Sequence, residues 1–160
     1  MLTASKSDKE LHHIKMSQPE QVVESFKKLY QTLDATNCQS EIVDKVYRDD
    51  VLFQDSFHQI EGLVAMKEYF NALYLNLISC DFDFHGQWVT ESSAMLTWTM
   101  TYSHQRLNRG RKIFVKGATE IRFDDKVFFH RDYFDGGDLL YEHVPGLGMV
   151  IKKLKKYMAK

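Results

Sequence analysis

At Asp81 the apolar residues of this chain change period from that of a helix to that of a strand, and this switch fixes the class of fold open to it. Upstream, Val22, Val23, Phe26, Leu29, Tyr30 and Leu33 recur three and four apart behind Ser17, a candidate cap, and Pro19, which a first helical turn tolerates. The polar run Asp34 to Ser40 ends that helix, and Ser40 can cap a second, short one with Ile42, Val43, Val46 and Tyr47. Asp49-Asp50 closes it, Val51-Leu52-Phe53 reads as a short strand, and Gly62 precedes a third helix with Leu63, Met66, Phe70, Leu73 and Leu77 on one face.

Downstream, Phe82, Phe84 and Trp88 alternate with Asp83, His85 and Gln87, and Leu96, Trp98, Met100, Tyr102 and His104 alternate with Thr97, Thr99, Thr101 and Ser103. Asn108-Arg109-Gly110 supplies a hairpin turn. In the strand after it, Gly117 marks a bulge or bend. Asp124-Asp125 leads into a last long strand, Lys126 to Asp135. Gly136-Gly137 breaks it, Leu139 to Val144 reads as an edge strand, and Val150, Ile151, Leu154 and Met158 mark a C-terminal helix. Three helices followed by a strand meander predict an α+β fold: a curved antiparallel sheet wrapped around the N-terminal helices as a cone. Its open end is a natural ligand cavity. The expected organisation is a mobile tail over residues 1–17, a single domain over 18–145 and an amphipathic basic helix over 146–160.

Composition narrows the function. A chain of 160 residues, 44% hydrophobic, is one domain with a core, and its net charge of -1 disfavours nucleic acid as a partner. No uncharged apolar run approaches the ~18 residues of a membrane span, so integral membrane association is not expected. Two cysteines, Cys38 and Cys80, do not make a disulfide framework and point to a reducing, cytoplasmic setting. His12-His13 has no partner ligands nearby, and no Cys/His spacing suggests zinc, so neither metal nor cofactor is expected. Aromatic residues make up 13% of the chain, enough to thicken a core or line a cavity. The lysines 152, 153, 155, 156 and 160 read as the solvated face of a surface helix, the competing reading being contact with an anionic membrane.

Two carboxylates stand in ring-rich sequence: Asp55 in Phe53-Gln54-Asp55-Ser56-Phe57-His58, and Asp132 in His130-Arg131-Asp132-Tyr133-Phe134-Asp135. A carboxyl group desolvated by rings is suited to shuttling a proton, because burial penalises its charged form. The structural alternative is that Asp55 caps the following turn and that Asp132 pairs with Arg131, Arg122 or Lys116. Alternation points His130 and Asp132 the same way, and likewise Tyr102 and His104. An Asp with a His in reach is a competent acid–base pair, and Tyr102 is a candidate donor to an oxyanion. His104 and His85 read as structural, and Trp98 and Trp88 as core first and ligand platforms second. His130-Arg131-Asp132 imitates a kinase catalytic loop but lacks a glycine-rich loop before it.

Phe53-Gln54-Asp55 after a two-helix start, Ile60-Glu61-Gly62-Leu63-Val64-Ala65-Met66, and HRDYFD together resemble the nuclear transport factor 2-like superfamily over roughly Pro19 to Asp135. The resemblance is to its SnoaL-like branch, which includes polyketide cyclases, steroid Δ-isomerases and limonene epoxide hydrolases. It implies the α+β cone, a pocket between sheet and helices for a small hydrophobic molecule, and a homodimer through the outer, threonine-rich sheet face (Thr97, Thr99, Thr101, Glu120, Arg122). The steroid isomerases' catalytic carboxylate falls on Asp55, while their oxyanion tyrosine falls on Phe26 and their protonated aspartic acid near Thr119. The epoxide hydrolases' RDYFD aspartate falls on Asp132. Their arginine–aspartate pair falls near Met100 and Tyr102, and their water-binding tyrosine and asparagine fall on Phe53 and Asp55. Each chemistry is half represented. The implied acid–base set is Asp55, Asp132, His58 and His130, with Phe26, Tyr30, Phe53, Trp88, Trp98, Met100, Tyr102, Thr119 and Phe128 as pocket walls. The expected activity is a cofactor-free isomerase, cyclase or hydrolase, with a non-catalytic ligand carrier or protein-interaction module as the alternative.

Overall fold

The first helix, α1 (Gln18–Thr32), starts where the sequence says it must. Ser17 and Glu20 form a reciprocal capping box and proline occupies the first turn. The computed structural model describes residues 16–144 and 146–158, so the predicted tail up to residue 15, with His12-His13, lies outside the described residues, as do Pro145 and Lys160. After α1 come α2 (Glu41–Asp44), β1 (Tyr47–Gln54), β2 (Gln59–Glu61), α3 (Leu63–Tyr74), β3 (Leu77–Val89), β4 (Ser93–His104), β5 (Ile113–Phe123), β6 (Val127–Phe134), α4 (Gly136–Leu139) and α5 (Leu147–Met158).

The six strands form one curved sheet in the order β2-β1-β6-β5-β4-β3. The inner face carries α1 and α3, as the cone requires. Phe26, Tyr30, Met66 and Phe70 are buried there, and Tyr30 meets Phe82 of β3 edge-on at 5.4 Å. The sheet is mixed, whereas the sequence reading made it antiparallel. β6 enters between β5 and β1 and pairs with β1 in parallel, setting Phe53 opposite His130. A parallel pair needs a long crossover, here everything from β2 to β5, so no local signal announces it.

Several boundaries move. Tyr47, read as the end of a helix, opens β1 and is fully buried. Leu77 begins β3 instead of continuing α3. The segment expected as an edge strand forms α4 and a 3-10 turn, Tyr141–His143. Its N-cap is Asp135, whose side chain accepts from the Gly137 amide.

Two register shifts relocate two predicted pocket residues. In β3, Phe84 faces Trp98 but Gly86 faces Thr97, so His85 is an extra residue. A bulge of one residue exchanges the faces beyond it, and Trp88 therefore points outward, 64% exposed. In β6, Phe129 faces Arg122 and Val127 faces Phe123, which leaves Phe128 as the extra residue. Its ring lies under the Arg48 guanidinium, 5.2 Å away. Gly117 marks no bulge, since β4 and β5 pair without interruption from Ser93↔Arg122 to Tyr102↔Ile113. It is instead a place of close approach, described below.

Candidate functional site

Between α3, the inner face of β3 and β4, the end of β6 and α4 lies a cavity of about 340 Å³. Its wall is largely apolar and includes Tyr30, Phe53, Trp98, Met100 and Tyr102 of the predicted set. Asp55, His58 and Asp132 also line it, so the structure brings both singled-out carboxylates to one chamber. Phe26 is buried behind it, in edge contact with His130 at 5.2 Å. Trp88 and Phe128 lie elsewhere, for the register reasons given.

The two carboxylates are held differently. Asp55 Oδ1 accepts the backbone amides of Phe57 and His58, both at 2.7 Å, and Oδ2 accepts the hydroxyl of Tyr69 at 2.6 Å. His58 Nδ1 stands 3.3 Å from Oδ1. Both Asp55 oxygens are thus occupied, Oδ1 in capping the β1–β2 turn, as the structural alternative anticipated, and Oδ2 by Tyr69 of α3. Tyr69 is a site residue missed in the sequence. It stands one position before Phe70 of the helical stripe, and only the tertiary structure turns it to the cavity. Burial, then the Asp55 carboxylate, push its pKa well above the tyrosine range, so it stays a donor.

At Asp132 only one oxygen is held. Oδ1 accepts from the Thr119 hydroxyl and from His130 Nε2, the latter at 2.9 Å. Thr119 accepts in turn from the Trp98 indole at 2.8 Å. That indole lies across Gly117, where an added β-carbon would clash with three ring atoms, the farthest of them at 2.8 Å. Oδ2 takes no hydrogen bond from any described residue. None of the three basic partners anticipated for Asp132 reaches it: Arg131 lies over Tyr133 and Arg122 pairs with Glu120.

Behind Asp132 the network continues into the core. His130 is fully buried, stacked on Tyr47 and edge-on to Phe53. Its Nδ1 lies 2.7 Å from the Tyr47 hydroxyl, which lies 2.9 Å from that of Tyr30. An ionised carboxylate only accepts, so Nε2 carries the imidazole proton and Nδ1 accepts from Tyr47. Tyr47 then accepts from Tyr30, and every donor in the chain points toward Asp132. Desolvation drives both tyrosine pKa values far up, which keeps them protonated as this order needs. Tyr47 is the second residue that the sequence reading missed.

Tyr102 is not a free donor. Its hydroxyl donates to the Leu139 carbonyl of α4, and burial pushes its pKa up to about 12. His104 lines the cavity with Nδ1 accepting the Arg106 amide at 3.0 Å, and His85 meets Thr99 on the outer face at 2.8 Å. Among the described residues no three His, Cys, Asp or Glu side chains cluster to hold a metal ion.

A curved sheet wrapped around helices in this way defines the α+β cone class of folds. The SnoaL-like domain model matches residues 26–130, and the chain belongs to that family. No protein of curated function matches the sequence. Among solved structures, an LEH-like epoxide hydrolase of M. tuberculosis is 17% identical, covering 85% of this chain and 96% of its own, with a TM-score of 0.63. A protein of Jannaschia sp. CCS1, assigned as a SnoaL-like polyketide cyclase, is 14% identical over 76% of this chain and 90% of its own, with a TM-score of 0.62. An NTF2-like protein of unknown function from Burkholderia pseudomallei K96243 is 13% identical over 78% and 96%, also with a TM-score of 0.62. At such identities the likeness is one of fold.

Proposed function

We propose that the protein is a cofactor-free acid–base enzyme acting on a small hydrophobic carbonyl compound in the cavity, with Asp132 as the group that moves the proton. The observation that carries this reading is the asymmetry of Asp132, with Oδ1 fixed by Thr119 and His130 and Oδ2 left unengaged toward the cavity. Oδ2 takes a proton from the carbon beside the substrate carbonyl, leaving an enolate, and returns it to the same or a conjugated carbon. No proton is gained or lost overall. His130 is a positioning residue: it orients the carboxylate by donating from Nε2 to Oδ1, while its Nδ1 meets the Tyr47 hydroxyl. Asp55 shapes the neighbouring turn and wall. Polyketide cyclase and epoxide hydrolase assignments among the structural relatives fit a fold used for such chemistry.

The test is deuterium exchange at the α-carbon of a panel of cyclic enones and 1,3-diketones, followed by NMR in heavy water. The unmodified protein should accelerate exchange for some member, and Asp132→Asn should remove at least about a hundredfold of that rate while staying folded. Exchange that survives Asp132→Asn overturns the assignment. The carrier reading is favoured by one observation, that the hydroxyls of Tyr102 and Tyr69 are already committed to Leu139 and Asp55. It predicts saturable quenching of Trp98 by the same compounds with no exchange.

We also propose a homodimer through the outer sheet face, supported by the rings of Trp88, Phe114 and Tyr133 exposed there among the threonines. Light scattering at micromolar concentration tests it, and a monomer counts against it. The free thiols of Cys38 and Cys80 suit a reducing compartment such as the cytoplasm. No described helix is long and apolar enough to cross a membrane.

A further inference from the structure

The C-terminal helix α5 turns a mixed face to the domain and leaves most of its apolar residues outside. A surface helix ordinarily turns its apolar arc to the protein and its charges to water. Here Lys155 faces the domain, with Nζ 2.6 Å from Glu142, 3.4 Å from Asp135 and 3.7 Å from Asp138. Gly148, about two turns earlier on the same side, is buried with no room for a β-carbon against the Glu142 backbone. Ile151 is part-buried on that side, but the rest of the apolar arc is turned away: Val150 is 58% exposed, Leu154 54%, Tyr157 78% and Met158 79%. Beside that arc stand Lys152, Lys153 and Lys156, exposed and without an ion pair to any described residue, and the helix contains no acidic residue.

We propose that α5 docks the protein on an anionic lipid surface, lying flat with Val150, Leu154, Tyr157 and Met158 dipped between headgroups and the three lysines meeting lipid anions. Charge decides the occupant. Two copies of α5 face to face would bring lysines against lysines with no carboxylate on either helix to answer them, and a neutral apolar groove would leave three ammonium groups unanswered. An anionic bilayer satisfies both arcs at once, since an amphipathic basic helix gains from apolar insertion and from headgroup charge together. The helix measures about 18 Å at 1.5 Å per residue, far short of spanning, so the contact is peripheral. Leu139 and Leu140, which line the cavity, belong to the segment leading into α5. Docking therefore sets the cavity wall near the bilayer, and it stands or falls independently of any turnover at Asp132.

The experiment is co-sedimentation of the full chain with phosphatidylcholine vesicles, with and without about 30% phosphatidylglycerol, over a salt series. Binding should be at least about tenfold stronger on the anionic vesicles and should fall as salt rises. Leu154→Glu, and separately a triple Lys152→Gln, Lys153→Gln, Lys156→Gln variant, should each weaken it at least about tenfold. Asp132→Asn should leave it unchanged. No sedimentation with either vesicle, equal sedimentation with both, or binding indifferent to both variants overturns the proposal. So does a dimer that Leu154→Glu dissociates in the absence of lipid binding. Should a variant fail to fold, the lipid and salt series on the unmodified chain decides alone.

Discussion

Trp98 occupies the space that a side chain on Gly117 would need, and from there its indole donates to Thr119. The glycine, the indole and the threonine act in series on Asp132. Gly117→Ala should force the ring aside and cost about 1–3 kcal/mol, as overpacking does. The urea midpoint reads the loss. Near-UV circular dichroism should show Trp98 displaced, and any exchange activity should fall with it.

Asp55 and Asp132 should separate by phenotype. Asp55→Ala removes the acceptor of two backbone amides and of Tyr69. It should cost about 1–2 kcal/mol, for the lost charge-assisted bond from the part-buried Tyr69 hydroxyl and the loosened turn. Asp132→Asn keeps the acceptor for Thr119 and His130 and should change the urea midpoint little while removing exchange. Equal destabilisation by both would contradict the division of roles.

Tyr47→Phe keeps the ring that stacks on His130 but removes the hydroxyl that meets its Nδ1. A stability loss of about 1 kcal/mol is expected for one hydrogen bond. The diagnostic readout is the pH profile of exchange, which should shift in Tyr47→Phe, whereas a merely structural role would lower the rate at all pH values alike.

The Asp135–Lys155 tie should weaken at both ends of the pH scale. The Gly137 amide, then Lys155, hold the Asp135 carboxyl below its usual pKa. A lowered folded value means stability present above the unfolded value of about 3.9 and lost as pH falls below it. Glu142 chiefly, with Asp135, raises Lys155, whose contribution is present below about 10.4 and lost as pH rises through the folded value. Hydrogen exchange at the α4 amides should therefore quicken below about pH 4 and above about pH 10. A flat profile across the acid limb would refute the cap.

Neither thiol should react readily in the native protein. Burial pushes Cys80 up to about 12 and raises Cys38 as well. Labelling by a thiolate-selective disulfide reagent at pH 8 should be at least about a hundredfold slower than in urea. Fast native labelling of Cys80 would mean the cavity opens widely.

The local parts of this structure were legible in the sequence and the non-local parts were not. Ser17 and Pro19 announce α1 because a helix start depends only on neighbours, and the threonine alternation of β4 announces that strand for the same reason. The pairing of His130 with Asp132 followed from strand alternation alone. Trp88 and Phe128 were misplaced because one extra residue in a strand reverses everything beyond it, and the bulges at His85 and Phe128 leave no compositional mark. Tyr47 and Tyr69 were missed since each owes its role to a partner many positions away. The C-terminal segment misled for a related reason: Asp135 supplies a helix cap where glycines suggested only a break.

The strand that carries Asp132 is the last of the six to be made, yet it lies between the first and the fifth. During synthesis on the ribosome, β1 has no permanent neighbour on that side until residue 134 has emerged, and the rings of α1 wait uncovered with it. The proposed site at Asp132 is thus assembled only after the other five strands are made, and any nascent chain truncated before β6 should be a client for chaperones.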